Sequence, residues 1–195
     1  MAVIGVAGKS GSGKSTFASL LAQKLNGIYV DMDKVCHEAL LDNSISHTLC
    51  TKFGNGILGS DGQIDRKKLG NIAFTHPSNM QVVTDLTYAY MDKKLERLLN
   101  QKDATIVLDA ILLPQTHYWD ICDSKVLVLS DDTKRKEKVM ERDHISEEYF
   151  AKRDANSIDY SSFYFDYVFF NDYQPETLKR MLSSFGPLQK EGEER

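Results

Sequence analysis

Apolar residues fall along this chain in two rhythms. Short, nearly unbroken apolar runs occur at Val3-Ile4-Gly5-Val6-Ala7, Ile28-Tyr29-Val30-Asp31, Ala104-Thr105-Ile106-Val107-Leu108-Asp109, Lys125-Val126-Leu127-Val128-Leu129 and Tyr167-Val168-Phe169-Phe170-Asn171. Runs of that length read as strands buried on both faces of a sheet. Between them apolar residues recur at helical spacing, as from Ser15 to Leu25 and from Asp131 to Asp143. Strands alternating with helices predict an α/β fold, with a five-stranded parallel sheet that takes ligands beyond the carboxyl ends of its strands. Gly27 is expected to end the first helix.

From Lys34 to Lys102 the texture changes. The pattern there is mainly helical, with turns at Asn55, Gly56, Gly59 and Asp61-Gly62 and an amphipathic stretch from Asn79 to Asn100. This segment is expected to form a helical lobe beside the sheet.

The connection after the first strand carries chemistry. Gly8-Lys9-Ser10-Gly11-Ser12-Gly13-Lys14-Ser15 satisfies the Gly-x-x-x-x-Gly-Lys-Ser pattern of a phosphate-binding loop, in the order strand, loop, helix. Glycines let the backbone fold around an anion, so that several N–H groups and the positive end of the helix meet the same phosphates. Lys14 adds a mobile charge, and Ser15, followed by Thr16, is placed to hold Mg²⁺ across the β- and γ-phosphates. ATP is thus the expected ligand.

Other strand ends supply carboxylates. Asp31 or Asp33 could take the proton of an attacking hydroxyl or support the metal shell, although Asp33 could also simply cap a helix starting at Lys34. In an extended chain these two side chains point to opposite sides, so one of them faces the phosphates. Asp109 ends another strand, where it could bind a metal-bound water or merely close a turn.

Composition narrows the partners. With 195 residues and 42% hydrophobic content the chain can bury one good core, and no apolar run is long enough to span a membrane. No secretory leader pattern opens the sequence, so a cytoplasmic protein is expected. A net charge of −4 offers no global field for nucleic acid. Cations gather between Lys134 and Arg153, where Arg135, Lys138 and Arg142 either face a nucleotide or pair with Glu137, Glu141, Glu147 and Glu148. Cys36, Cys50 and Cys122 fit neither a disulfide framework nor a zinc site, and His37 reads as a surface residue. Trp119, Tyr160, Phe163, Tyr164 and Phe165 read as core, and Gln189 to Arg195 as a polar tail. The sequence sets no oligomeric state.

With these pieces placed, the chain resembles the dephospho-CoA kinase family. The resemblance rests on Gly8 to Thr16; Val30-Asp31-Met32-Asp33-Lys34 with His37-Glu38; and Phe53-Gly54 with Ile57-Leu58. It continues through Asp61-Gly62-Gln63-Ile64-Asp65-Arg66-Lys67-Lys68-Leu69, Arg142-Asp143 with Ser146, and Asp166-Tyr167-Val168 leading to Asn171. It implies ATP- and Mg²⁺-dependent phosphorylation of the ribose 3′-hydroxyl of dephospho-CoA, the last step of coenzyme A synthesis. It also implies one kinase domain over residues 1–195: a core of 1–33, 103–133 and 160–187, a helical acceptor lobe of 34–102, and a lid of 134–159. By the same resemblance Asp33 is the base, with Arg142 near the nucleotide, Asn171 near the adenine and Arg66 in the acceptor lobe; Asp31, Asp33 and Arg153 are further candidates for acceptor binding. The family's His-Pro appears here as Thr87-Tyr88, its Pro-Leu-Leu-x-Glu as Ile111-Leu112-Leu113-Pro114-Gln115, an earlier lid arginine as Lys138 and a glutamine as Ser157. A lysine keeps the charge but loses the planar fork that grips phosphate twice.

Two other readings fit the phosphate loop. One is a kinase for another small hydroxyl acceptor such as a nucleoside, and the other a non-catalytic nucleotide switch, against which stands the lack of an Asn-Lys-x-Asp guanine motif.

Overall fold

The computed structural model describes residues 2–100, 104–155 and 157–186. In chain order the elements are β1 (Val3–Ala7), α1 (Lys14–Lys24), β2 (Ile28–Asp31), α2 (Met32–Ala39), α3 (Asn43–Phe53), α4 (Arg66–Ala73) and α5 (Pro77–Leu99). There follow β3 (Ile106–Asp109), β4 (Ser124–Ser130), α6 (Asp132–Asp143), α7 (Glu147–Ala155), β5 (Tyr167–Asn171) and α8 (Pro175–Ser184). The chain divides into one unit of Met1–Asp31 with Lys102–Arg195 and a second of Met32–Gln101. The break falls between Asp31 and Met32, so Asp33 belongs to the second unit and not to the core segment expected from the sequence.

The first unit is built on a parallel five-stranded sheet in the order β2-β3-β1-β4-β5. The strand that feeds the glycine loop is central, with β3 on one side and β4 on the other. Ligand sites of open parallel sheets form where successive connections leave to opposite sides in this way. On one face, Ile4, Val6, Val107, Val126 and Val128 pack with Phe17, Ala18 and Leu21 of α1 and with Met181 and Phe185. The other face is closed over Ala7 and Leu127 by Ile158 and Tyr160. Gly5 is required there, because a Cβ would stand 2.7 Å from Cys122 Sγ and 2.8 Å from the Trp119 ring.

Two local expectations change. The first helix ends at Lys24 with Leu25 as its C-cap, and the left-handed residue behind it is Asn26 (φ 49°), not Gly27. Gly27 serves a different purpose, since a Cβ on it would lie 2.5 Å from the Thr105 carbonyl oxygen. Among the aromatic residues read as core, Tyr164 is exposed, whereas Trp119 and Tyr160 are buried and Phe165 packs edge-on against both. The polar tail lies outside the described residues.

The second unit is helical. Its core joins Ala39, Leu40, Ile45, Leu49, Ile57, Ile64 and Leu69, with α5 contributing Val82, Val83, Leu86 and Tyr90. The Asp-Gly-x-Ile-Asp-Arg segment forms a turn closed by an antiparallel bridge between Leu58 and Ile64, with Gly62 at φ 76°. Asp65 then caps α4 by accepting hydrogen bonds from the Lys67 and Lys68 amides. Much of this segment therefore has a structural explanation. No helix among the described residues is long and apolar enough to cross a membrane.

Candidate active site

The glycine loop leaves β1 and enters α1 through Gly11 (φ 83°) and Gly13 (φ 90°), backbone conformations that side-chain-bearing residues rarely adopt. A Cβ on Gly11 would strike Val139 and Arg135, and one on Gly13 would strike the Asn171 amide. The loop is thus clasped from two sides. Gly8 sits equally close, where a Cβ would meet the Val128 carbonyl oxygen at 2.5 Å and Ser12 Oγ at 2.7 Å.

Lys14 opens α1 and is buried. Its Nζ lies 3.7 Å from Oδ1 of Asp109 and 3.4 Å from Oγ of Ser15. Asp109, at the end of β3, is only 1% exposed, and its Oδ2 accepts a 2.9 Å hydrogen bond from the Tyr29 hydroxyl. Burial, and then the Asp109 charge, push the Tyr29 hydroxyl well above the usual phenol range, so it remains a proton donor. Asp109 Oδ1 and Ser12 Oγ are buried without a hydrogen-bond partner among the described residues. Groups left in that state are unusual and suit a ligand.

The far end of β5 organises the loop. Asn171 Nδ2 donates to the Ser12 carbonyl at 2.9 Å, and its Oδ1 accepts from the Tyr173 amide. The Tyr173 hydroxyl donates to the Gly11 carbonyl at 2.9 Å. Asn171, assigned by resemblance to the adenine, therefore has its side chain tied to the loop backbone.

The α6 cations divide. Lys138 Nζ stands 4.8 Å above the Tyr173 ring, and Arg142 donates to Ser10 Oγ at 3.1 Å while also pairing with Asp143. Both line a cavity of about 300 Å³ with Gly11, Gly13, Lys14, Ser15, Thr16 and Tyr173. Arg135 turns the other way. Its guanidinium is 2% exposed, forks onto both oxygens of Asp154 at 2.8 and 2.9 Å, bonds Asp132, and covers the Phe150 ring. Arg135 is committed to protein partners and does not face the cavity. Arg153 lies on α7, and its side chain is outside the described residues.

In the second unit Asp33 occupies the first turn of α2, which begins at Met32 and not at Lys34. It is therefore not the cap of a helix starting at Lys34, and the positive helix end favours its carboxylate. Because Asp31 ends a strand and Asp33 is helical, the alternation expected between them does not apply. Burial, then Asp33, raise the Cys36 thiol to about 11; burial, then Cys36 and Asp33, also raise the Tyr88 hydroxyl. Arg66, at the start of α4, reaches His37 Nε2 at 2.6 Å, one helical turn beyond Asp33. Thr87 is buried and bonds the Val83 and Thr84 carbonyls, as a core threonine does.

Sequence reasoning missed Tyr29, Tyr173, Asp154 and Ser10. Tyr29 alone left a signal, since strand alternation places it on the same side as Asp31.

Comparison with known proteins bears on these arrangements. The family described as dephospho-CoA kinase matches residues 2–162. A dephospho-CoA kinase of Fusobacterium nucleatum is 32% identical over 151 residues, covering 77% of this chain and 78% of its own. That of Aquifex aeolicus is 29% identical over 194 residues, covering 96% and 98%. A crystal structure of a Thermus thermophilus protein, 23% identical, superposes with a TM-score of 0.80 over 93% of this chain and 94% of the other, which speaks to the fold. A family match across residues 2–162, together with a relative 32% identical over most of both chains, makes this chain a member of the dephospho-CoA kinase family.

Proposed function

We propose that the protein moves the terminal phosphoryl group of ATP to the ribose 3′-hydroxyl of dephospho-CoA, using Lys14 and Arg142 to balance charge and Asp33 to take the hydroxyl proton. Family membership carries the activity itself: the chain is a kinase that phosphorylates dephospho-CoA with ATP, in CoA biosynthesis. The observation that carries the chemistry is the buried Lys14 beside Asp109, at the mouth of a glycine loop whose Ser12 hydroxyl has no hydrogen-bond partner among the described residues.

Each residue has a definable task. The loop amides and the α1 N-terminus receive the β-phosphate, and Lys14 spans toward the γ-phosphate. Arg142, held over the loop through Ser10, meets charge that develops on the transferring group. Asp33, two residues past β2, is the base, while Asp31, Arg66 and Arg153 contribute to acceptor binding. Thr16 and Asn171 support the nucleotide, the latter by fixing the loop.

The residues also fit Mg²⁺. Ser15 offers a hydroxyl at the start of α1, and Asp109 Oδ1 is a buried acceptor that no hydrogen bond satisfies, which suits an outer position on a hydrated ion. When bound through phosphate oxygens, the ion would offset charge on the β- and γ-phosphates. The α6–α7 segment, with residues 134–159, acts as the lid, and residues 34–102 as the acceptor lobe.

The test is ADP release with dephospho-CoA against a panel of nucleosides. Turnover of dephospho-CoA alone is expected; turnover of a nucleoside with none of dephospho-CoA would overturn the acceptor.

A further inference from the structure

Tyr173 adopts φ 67°, in the left-handed region that bulky side chains avoid. Such a conformation costs on the order of 1 kcal/mol or more and persists only where neighbouring contacts hold it. Here the contacts all lead to one place. The Tyr173 amide is held by Asn171 Oδ1 at 2.9 Å, its hydroxyl donates to the Gly11 carbonyl at 2.9 Å, and Lys138 Nζ rests 4.8 Å above its ring. Gly11 is itself left-handed, and Tyr173, Gly11 and Lys138 line the same cavity as Lys14.

We infer that Tyr173 is a positioning residue for polyphosphate: it holds the glycine loop in its anion-accepting shape through Gly11 and seats Lys138 over the same cavity. The inference rests on the kinase reading above and adds to it a residue and a division of labour. A carbonyl that bonds the Tyr173 hydroxyl is turned away from the anion, which leaves the loop amides to point toward it. The aromatic ring meanwhile gives the Lys138 ammonium a defined seat, partly offsetting the geometric freedom that a lysine has.

The decisive variant is Tyr173→Phe, which keeps the ring, the backbone turn and the Lys138 contact and removes the hydroxyl, with its bond to Gly11 and its interaction with Ser130. Ser130→Ala, which removes the second of these alone, is expected to leave tripolyphosphate affinity within about twofold. In Tyr173→Phe the KM for ATP is expected to rise about fivefold to tenfold, the size of one neutral hydrogen bond, with kcat and the KM for dephospho-CoA within about twofold. Its affinity for inorganic tripolyphosphate, measured by calorimetry, is expected to fall by the same factor. Tyr173→Asn, which tolerates the left-handed backbone but supplies neither ring nor phenol, controls for the fold and is expected to weaken tripolyphosphate binding further. An unchanged tripolyphosphate affinity in Tyr173→Phe would overturn the inference while leaving the kinase reading intact. A parent protein that binds neither ATP nor tripolyphosphate would overturn both.

Discussion

Tyr29 donates its hydroxyl hydrogen to Oδ2 of Asp109 at 2.9 Å, between the neighbouring strands β2 and β3. The bond occupies one carboxylate oxygen and leaves the other, Oδ1, 3.7 Å from Lys14 Nζ. A buried carboxylate is thereby aimed at Lys14. Tyr29→Phe should cost about 1–2 kcal/mol, the penalty of an unsatisfied buried acceptor, and lower the unfolding temperature by a few degrees. Asp109→Asn keeps an acceptor for Tyr29 but loses the charge beside Lys14. Its ADP formation should fall by about tenfold to a hundredfold, more than its stability changes, and full activity in this variant would remove Asp109 from the site.

Gly13 and Asn171 offer a second test. An alanine at position 13 meets two obstacles: the backbone at φ 90° and the Asn171 amide in the space its Cβ would need. Gly13→Ala should weaken ATP binding in calorimetry by about a hundredfold. Combining it with Asn171→Ala removes the collision but not the backbone strain. The double variant should therefore be less impaired than the sum of the singles predicts, whereas simple additivity would show that the two residues do not touch.

Arg135 and Asp154 make stability depend on acid. The hydrogen bond from Arg135, its largest favourable cause, together with the charges of Arg135 and Lys9, holds the Asp154 carboxyl below the usual carboxylate range against the opposing effect of burial. A carboxyl lowered in the folded state stabilises fully above its unfolded value, near pH 4, and loses that contribution as pH falls through the lower folded value. Asp154→Asn should cost about 2–3 kcal/mol at pH 7, below the full penalty for a sealed pair because Asp154 is partly open to water. In denaturant titrations the gap between parent and variant should shrink below about pH 4. A gap of constant size would show that the pair is not what stabilises α6 against α7.

The elements that could be read from the sequence are those whose cause is local. β1 and β5 begin and end where their apolar runs do, but only Val3–Ala7 is buried on both faces as such runs predict; β5 lies at the sheet edge, where Val168 and Phe170 are exposed. The glycine loop was legible because its geometry demands particular residues at fixed spacing. What could not be read was which distant groups would meet. Tyr29 finds Asp109 across 80 positions, and Tyr173 finds Gly11 across 162. Arg135, Lys138 and Arg142 share one helix and look alike in sequence. Only the fold, by placing Asp154 and Phe150 against Arg135, turns that residue inward and leaves the other two over the cavity. Asn26 in place of Gly27 shows the same limit on a small scale, because the contact that requires a glycine comes from Thr105, far along the chain just before β3.

Asp33 and Asp31 offer a test of which carboxylate is the base. Asp33 stands in the first turn of α2 with the Cys36 thiol raised to about 11 and the Tyr88 hydroxyl raised beside it, so both neighbours stay neutral near pH 7. The positive end of a helix keeps the Asp33 carboxylate ionised, the form in which it can take a hydroxyl proton. If Asp33 is the base, Asp33→Asn should lower kcat by about a hundredfold to ten-thousandfold while the KM for ATP stays within about threefold. Asp31→Asn, which changes a strand residue whose charge reaches Tyr29, should act mainly on the KM for dephospho-CoA. Pre-steady-state ADP formation at saturating substrates isolates the chemical step. There, a normal rate in Asp33→Asn with a collapsed rate in Asp31→Asn would exchange the two roles.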